Sequence, residues 1–318
     1  MSEPFFTEYP PALRRAVFGA RRVSPILPYR DSPAKLRGSG LVPGKTLSIS
    51  GTQDKYSVVL DAPQLRLCAE GEQGGFILKP CLSGDFMRNR DAPANEFLCM
   101  QVMQRVFRVP TASCALCFFQ NGAPAYITRR FDRAPSGTPL MFEDFASLSG
   151  VLGGDANRKY IGSYQEMAGI IDRHSGTPQP DKETFFRLVL GNFLLCNGDA
   201  HLKNFGLLEA PTGEMRLAPA YDVLCTRLHL RNDPPFAMES GLFADGRPLP
   251  RHAGSHFLDW ACSIGISPAR AETFIRRALK SFDAVAAMAR ASHLSPQALR
   301  AFIYEIRLRF SMLSRFRT

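Results

Sequence analysis

The sequence predicts an α+β fold in which an antiparallel-sheet lobe is followed by a mainly helical lobe. Short β-branched segments separated by turn residues occupy the chain after residue 47, a pattern typical of strands. One segment of helical spacing interrupts them, and beyond about residue 130 helical spacing predominates. We therefore divide the chain into an N-terminal arm at residues 1–47, a sheet lobe at 48–130 and a helical lobe at 131–318.

The arm is rich in Pro and Arg and shows little periodicity, so we interpret it as irregular. In the sheet lobe, Asp-Ala-Pro and Glu-Gln-Gly-Gly turns separate the first three strands, which predicts an antiparallel meander. A helix follows, with Glu96 near its start and apolar residues on one face. The predicted strands span residues 56–60, 64–68, 75–79, 112–119 and 124–129, and the helix spans residues 95–106.

Helix-start signals recur in the helical lobe. Asp181, which follows a proline, is predicted to cap a helix that reaches about Cys196. Two Ser-Pro pairs, at Ser267 and Ser295, combine an N-cap residue with a proline in the first turn. These signals predict at least three helices in this part of the chain.

The composition is ordinary for a globular protein, with 45% hydrophobic and 21% charged residues in a chain of 318. The net charge of +10 favours a polyanionic partner such as a nucleotide or a nucleic acid. No apolar run reaches the length of a membrane span, about 18 residues. The N-terminus also lacks the basic start and apolar stretch of a signal peptide, so we expect a cytoplasmic protein.

Eight cysteines lie mostly within apolar runs, which is typical of buried thiols. Cys114 and Cys117 have C-x-x-C spacing, but they lie in a strand-like segment without a second pair or a nearby histidine. The sequence therefore favours packing over zinc binding or redox chemistry at this pair.

The residue types needed for phosphoryl transfer occur in the segment CNGDAHLKNFGLLEAPTGEMRLAPAYDV. Asp199 precedes Asn204 by five residues, and Asp222 follows after a strand-like stretch. The reaction needs a carboxylate near the attacking hydroxyl and oxygen ligands for the Mg²⁺ that bridges the nucleotide phosphates. The D-x-x-x-x-N spacing is that of a protein-kinase catalytic loop, although Asp, Asn and Gly are also common turn residues.

Two further features stand in the order expected of a kinase. Lys79 ends an apolar strand, where its ammonium can meet phosphate oxygens, and Glu96 in the next helix can pair with it. The segment SISGTQDKYSVVL, residues 48–60, comes before both. By itself it is more typical of a polar turn than of a phosphate-binding loop, and it does not match the Walker pattern.

Taken together, these segments resemble the HipA family of Ser/Thr kinases, the toxins of bacterial toxin-antitoxin systems. The chain is most similar to the short form called HipT. The resemblance covers roughly residues 48–225 and is found in the stretches SISGTQDKYSVVL, GFILKP, NEFLCMQVM, YITRRFDR, FEDFASLSG, KYIGSYQEM, GNFLLCNGDAHLKNFGLL and LAPAYDV. It implies a two-lobed, protein-kinase-like fold that uses ATP and Mg²⁺.

The resemblance implies a role for each matching position in the helical lobe. Asp199 would be the catalytic base, and Asn204 and Asp222 would bind Mg²⁺. His201 and Lys203 would position the catalytic loop and contact phosphate.

Further nucleotide-binding positions are implied in the sheet lobe. Lys79 would hold the ATP phosphates, with Glu96 as its supporting ion pair. The segment at residues 128–131 would be the hinge that lines the adenine, and it contributes Arg130 and Phe131.

SISGTQDK would be the phosphate-covering loop. Its proposed nucleotide contacts are Ser50, Gly51, Gln53 and Lys55. In HipA-like kinases the serine at the position of Ser48 is an autophosphorylation site, and HipT kinases carry a second serine at the position of Ser50. We therefore expect autophosphorylation of Ser48, Ser50 or both, and phosphate there would repel ATP.

The resemblance further implies a toxin that phosphorylates an aminoacyl-tRNA synthetase and arrests growth. Full-length HipA kinases begin with a small additional domain, and in short-form systems a separate protein supplies it. We therefore expect a HipB-like DNA-binding antitoxin and a small HipS-like protein as partners, with DNA contact that is only indirect or weak. Two alternatives stay open, a small-molecule kinase of a related fold and a binding module of a DNA-bound complex.

Overall fold

The computed structural model describes residues 8–19, 21–33, 53–134, 136–151 and 156–314. Contacts divide the chain into two compact units. The first, called here the sheet unit, comprises Met1–Phe97 and Ala112–Pro139; the second, called the helical unit, comprises Leu98–Thr111 and Leu140–Thr318. The predicted α+β fold, with an antiparallel sheet and a helical part, is confirmed.

The sheet unit is built on five antiparallel strands in the order β2-β1-β3-β5-β4. The predicted strands are all present, with ends shifted by up to two residues. They are β1 (Tyr56–Asp61), β2 (Gln64–Leu67), β3 (Phe76–Pro80), β4 (Cys114–Phe118) and β5 (Pro124–Arg129). The predicted helix is α2, Ala92–Arg105.

The two faces of this sheet differ because side chains alternate along each strand. On β3, Phe76 and Leu78 belong to a buried apolar cluster that includes Val58 and Ile127 from neighbouring strands. Lys79 follows Leu78, so its side chain points to the opposite face. The sheet thus has one mainly apolar face, with Arg129 at its end opposite Phe76, and one face that carries the buried Lys79.

The apolar face is covered by a helix that the sequence analysis did not anticipate. The interpretation of the whole arm as irregular is wrong for α1, Pro11–Phe18, which begins with a proline at its first position. The rings of Phe18 and Phe76 lie 5.5 Å apart, and those of Tyr9 and Phe18 lie 5.0 Å apart. Packing of its apolar residues on the sheet stabilises this short helix, which would be marginal alone.

The helical unit contains a small antiparallel sheet of order β6-β7-β8. Its strands are β6 (Phe142–Asp144), β7 (Gly206–Glu209) and β8 (Met215–Leu217). The helices that follow α2 are α3 (Phe145–Leu148), α4 (Tyr164–His174), α5 (Pro178–Leu194), α6 (Ala253–Ser263), α7 (Pro268–Leu279), α8 (Phe282–Arg290) and α9 (Pro296–Leu313).

The two Ser-Pro predictions are confirmed. Ser267 and Ser295 are the N-cap residues of α7 and α9, and the Ser295 hydroxyl accepts a hydrogen bond from the Ala298 N–H at 3.2 Å.

The prediction for Asp181 is wrong. Helix α5 begins at Pro178, so Asp181 lies in its first turn and does not cap it. Its buried carboxylate accepts hydrogen bonds from the Ser175 hydroxyl at 2.6 Å and the Leu217 N–H at 3.0 Å. This carboxylate therefore joins the start of α5 to β8.

An aromatic cluster fixes the position of α5. Phe186 stacks on Trp260 of α6 with ring centroids 5.4 Å apart, and Phe193 lies 5.1 Å from Phe257. All four side chains are almost completely buried. Burial of aromatic surface is a large source of stability, so this cluster holds the helix that leads into the candidate catalytic loop.

The eight cysteines all lie in described parts of the chain and form no disulfide, and Cys114 and Cys117 are buried in β4, as expected for packing. Within the part of the chain that the structure describes, no helix has the length and apolar character needed to cross a membrane.

Candidate functional site

The D-x-x-x-x-N segment begins directly after α5. Cys196 adopts a left-handed conformation, with φ of 56°, and turns the chain away from the helix. The Asn197 N–H then donates to the Asn192 carbonyl at 2.9 Å, and the Asn197 amide donates to the Asn192 side chain at 2.8 Å. The side-chain oxygen of Asn197 accepts from the Asp199 N–H at 3.3 Å. The end of α5 thus fixes the backbone that presents Asp199.

The Asp199 carboxylate is held by a neighbour that the sequence analysis did not select. The Tyr160 hydroxyl donates to Asp199 Oδ1 at 2.7 Å. His201 Nε2 lies 4.0 Å from the same oxygen, and the Tyr160 and His201 rings meet edge to face at 5.2 Å. Tyr160 lies 39 residues before Asp199, so only its position within the stretch KYIGSYQEM pointed to it.

Asn204 and Asp222, the two predicted metal ligands, are brought together. Asn204 Nδ2 lies 3.5 Å from Asp222 Oδ2, and Asn204 Oδ1 accepts from the His201 N–H at 3.1 Å. Asp222 is left-handed, with φ of 57°, and follows the β7-β8 hairpin. The Tyr221 hydroxyl donates to the Lys203 carbonyl at 2.8 Å and thereby joins the two segments.

The chemistry of this pair suits Mg²⁺, which prefers carboxylate and carbonyl oxygens and retains several water ligands. Asp222 would supply a carboxylate oxygen and Asn204 an amide oxygen, although here the amide nitrogen of Asn204 faces Asp222 and its oxygen accepts from the His201 N–H. Among the described residues there is no group of three or more His, Cys, Asp or Glu placed to hold a metal ion.

The remaining loop residues have structural contacts. The Ala200 carbonyl accepts from the buried Tyr164 hydroxyl at 2.8 Å. His201 is buried, whereas the Lys203 side chain is exposed. The loop thus combines a fixed backbone with an exposed lysine.

In the sheet unit, Lys79 and Glu96 form the ion pair that the sequence suggested. Lys79 Nζ lies 2.6 Å from Glu96 Oε1, and both side chains are at most 5% exposed. The pKa of Lys79 is lowered to about 8, chiefly by burial; Glu96 opposes this shift and the Lys55 charge contributes to it. The ammonium thus lies in a poorly solvated position where a second anion would be strongly attracted.

Part of the predicted phosphate loop is visible beside this pair. The buried Gln53 amide donates to the Pro80 carbonyl at 3.4 Å, next to Lys79 in the chain. Ser48, Ser50 and Gly51 lie outside the described residues, so their predicted roles stay predictions.

The predicted hinge follows β5. The Arg130 N–H donates to the Gly75 carbonyl at 2.9 Å, and the Arg130 guanidinium pairs with both Asp132 oxygens at 2.9 and 2.5 Å. The ion pair raises the pKa of Arg130 and lowers that of Asp132. Arg130 therefore has a carboxylate partner next to it, and Phe131 lies between the two.

A model of the HipA-like C-terminal domain family matches residues 47–286. Among curated proteins, "Putative kinase Y4dM" of Sinorhizobium fredii is 30% identical over 193 residues, which cover 56% of this chain and 45% of that protein. A protein described as a "Putative kinase" from Haemophilus influenzae is 29% identical over 186 residues, covering 55% of this chain and 52% of that protein. The chain spans about half the length of the curated relatives it matches.

Two solved structures share the fold. HipA of Shewanella oneidensis, solved with HipB and its operator DNA as a toxin-antitoxin system, has a TM-score of 0.62 and 19% identity. The match covers 87% of this chain and 66% of that one. The proinflammatory kinase CtkA of Helicobacter pylori has a TM-score of 0.51 and 14% identity, and the match covers 78% of this chain and 90% of that one.

Proposed function

The chain belongs to the HipA-like C-terminal domain family, and from this premise we propose that it is an ATP-dependent kinase. The observation that supports this most directly is the approach of Asn204 to Asp222 within 3.5 Å, in a loop that also presents Asp199. A carboxylate for the attacking hydroxyl and oxygen ligands for Mg²⁺ are the parts that phosphoryl transfer requires of a protein.

Asp199 would accept the proton of the attacking hydroxyl. The Tyr160 hydroxyl donates to Oδ1 of this carboxylate and would fix its orientation toward a substrate hydroxyl. Orientation by Tyr160 would reduce the number of unproductive carboxylate rotamers, and such pre-organisation is a major part of catalysis in this reaction class.

Charge neutralisation would come from two sets of residues. Asn204 and Asp222 would hold Mg²⁺, which would neutralise the charge of the nucleotide phosphates. Lys79 would donate hydrogen bonds to phosphate oxygens, and Glu96 would keep its ammonium in place at 2.6 Å. Gln53, Lys55, Ser50 and Gly51 would line the phosphates, and Arg130, Phe131, His201 and Lys203 would complete the nucleotide contacts.

For the phosphoryl acceptor, we propose serine or threonine in a protein. By resemblance to the short HipT kinases, the substrate would be an aminoacyl-tRNA synthetase in the cytoplasm, and its phosphorylation would arrest growth. Ser48, Ser50 or both would be phosphorylated by the same chain, and the added phosphate would repel ATP and limit activity.

The proposed partners follow from the toxin assignment. The structure solved for the Shewanella oneidensis protein contains HipB and operator DNA, which supports a HipB-like antitoxin as the partner of this chain. A small HipS-like protein would be a second partner. DNA contact by this chain would then be indirect or weak.

The test is Asp199→Asn, which keeps the shape of the side chain and removes its ability to accept a proton. We expect phosphoryl transfer from ATP to a panel of aminoacyl-tRNA synthetases to fall by about two to four orders of magnitude. Nucleotide binding should be retained. Transfer is measured by mass spectrometry of the chain and of the panel after incubation with ATP and Mg²⁺.

Asp245→Asn is the matched control, because Asp245 is an exposed carboxylate of the helical unit that pairs with Arg247. It should leave transfer unchanged. Undiminished transfer in Asp199→Asn would contradict the kinase assignment of this loop. Transfer to a small metabolite but to no protein would contradict the protein-kinase assignment.

A further inference from the structure

The hydroxyl of Thr226 lies directly beneath the candidate catalytic loop. Thr226 is 1% exposed and lies four residues after Asp222. Its Oγ1 is 2.7 Å from the Gly198 nitrogen, 2.6 Å from Asp233 Oδ2 and 3.1 Å from the Cys196 carbonyl oxygen. One buried hydroxyl therefore contacts the peptide groups on both sides of Asn197, two residues before Asp199.

Because the Thr226 hydroxyl has a single hydrogen, it can donate to only one of its three neighbours. The Gly198 N–H can only donate, so Thr226 Oγ1 accepts from it. The single hydroxyl hydrogen then goes to Asp233 or to the Cys196 carbonyl. The shorter distance, 2.6 Å, and the charge of the carboxylate favour Asp233 as the acceptor.

Asp233 is well placed to orient the Thr226 hydroxyl. Its side chain is 8% exposed, and it approaches the loop so closely that a Cβ added at Gly198 would lie 2.6 Å from either carboxylate oxygen. By accepting the Thr226 hydrogen, Asp233 turns the oxygen lone pairs of Thr226 toward the Gly198 N–H. A continuous series of hydrogen bonds thus links Asp233, Thr226 and Gly198.

Other contacts around Asp199 do not replace this one. Tyr160 holds the carboxylate, Asn197 holds the Asp199 N–H, and Tyr164 holds the Ala200 carbonyl. Without the Thr226 hydroxyl, the buried Gly198 N–H would keep only its hydrogen bond to the Asp233 carboxylate, which would itself lose the hydroxyl donor. Weaker pairing of a buried N–H is costly, so the peptide before Asp199 would be held less firmly.

We propose that Thr226 and Asp233 are positioning residues that lock the Gly198 peptide and thereby direct the Asp199 carboxylate. The effect on the loop rests on geometry alone, whereas the effect on catalysis rests on the proposed kinase function. Neither residue contacts the reacting atoms in this proposal.

The test compares Thr226→Val, which has the same shape but no hydroxyl, with Thr226→Ser, which keeps the hydroxyl. Backbone amide exchange is followed by mass spectrometry in the full chain. Thr226→Val should speed exchange across residues 197–204 by about tenfold or more, the change expected for one lost buried hydrogen bond. Thr226→Ser should restore the wild-type exchange rate.

The kinetic readout is ATP turnover. Because misplacement of a catalytic group acts on the transition state, Thr226→Val should lower kcat by about 10- to 100-fold. It should leave KM for ATP nearly unchanged. Asp233→Ala should act in the same direction, and Asp233→Asn, which keeps an acceptor oxygen, should act less. Thr226→Ser should recover kcat.

Asp181→Asn is the control, because it alters an equally buried carboxylate of the helical unit whose known contacts are to Ser175, Arg216 and Leu217. It should lower thermal stability without faster exchange at residues 197–204. Wild-type exchange and kcat in Thr226→Val would overturn the proposal. If the wild-type chain lacked ATP turnover but Thr226→Val still loosened the loop, the kinase function would fail and the positioning role would stand.

Discussion

At Asp233, burial raises the pKa of the carboxyl from its ordinary value to about 6, and the negative charge of Asp199 adds to this rise. The hydrogen bonds from Thr226 and Gly198 and the charge of Arg227 oppose it. The folded protein therefore binds a proton more tightly at this site than the unfolded chain does. Stability from this group is fully present below about pH 4 and is lost as the pH rises through about 6.

This linkage predicts a pH-dependent difference between the wild type and Asp233→Asn, which cannot ionise. Between pH 4 and pH 8, the free energy of unfolding of the wild type should fall relative to the variant by up to about 3 kcal/mol. Chemical denaturation at a series of pH values measures this difference. A difference that stayed constant with pH would mean that the carboxyl titrates normally.

Lys79 and Glu96 show how far single residues are predictable from sequence. A strand-end lysine by itself is more often solvated, and the pair was suggested only by its order in the chain, after the phosphate-loop segment and before the D-x-x-x-x-N segment. Tyr160 and Thr226 were not selected, since nothing in their local sequence indicates which carboxylate or amide they will meet. Contacts of this kind depend on tertiary packing, which periodicity does not encode.

At the scale of elements, position 198 requires a glycine because there is no room for a Cβ atom, and not because of its backbone conformation. A Cβ at this position would overlap the Pro234 carbonyl oxygen and the Asp233 carboxylate. The Pro234 carbonyl oxygen belongs to the backbone and cannot rotate away as a side chain could, so the loop between α5 and β7 would have to shift. Gly198→Ala should therefore reduce both stability and ATP turnover.

Gly169 of α4 provides the matched substitution. An added Cβ there would meet only the flexible end of Arg173, at 3.4 Å. Gly169→Ala should stabilise the protein by roughly 0.5–1 kcal/mol, because alanine is the better helix former. Thermal denaturation of both variants is the measurement, and equal effects of the two substitutions would refute the steric explanation.

The strands were more predictable than the helix ends. Turn residues and β-branched runs marked all five strands of the sheet unit within two residues. Helix α1 was missed because it has only eight residues, and its buried face is visible only once the sheet is in place. The start of α5 was misplaced because Asp181 has the typical character of a cap, whereas the fold uses its carboxylate to bind β8.

At the scale of the whole molecule, the proposed cofactors predict ligand-dependent stability. A ligand that binds only the folded state at about 100 times its Kd adds roughly 2.7 kcal/mol to the free energy of unfolding. ATP with Mg²⁺ should therefore raise Tm by several degrees. The rise should be smaller with EDTA and smaller in Asp222→Asn. An equal rise in all three conditions would exclude Asp222 from metal binding.

The wider family placement was predictable from the motifs as a set, and the match over residues 47–286 agrees with it. Three finer predictions depend on features outside the described residues or outside this chain: the HipT subtype, the protein substrate, and autophosphorylation at Ser48 or Ser50. They therefore stay proposals with their own experiments.

The left-handed conformations at Cys196 and Asp222 have a consequence for how this loop can change. A cysteine does not favour that conformation by itself, and an aspartate tolerates it only moderately, so the surrounding protein imposes both turns. The shape of the loop is thus inherited from α5, the β7-β8 hairpin and the segment around Thr226. Grafting residues 199–204 onto another helix would transfer the side chains but not their orientations. Conversely, substitutions in α5, in the β7-β8 hairpin or around Thr226 can alter the chemistry while every reacting group is retained.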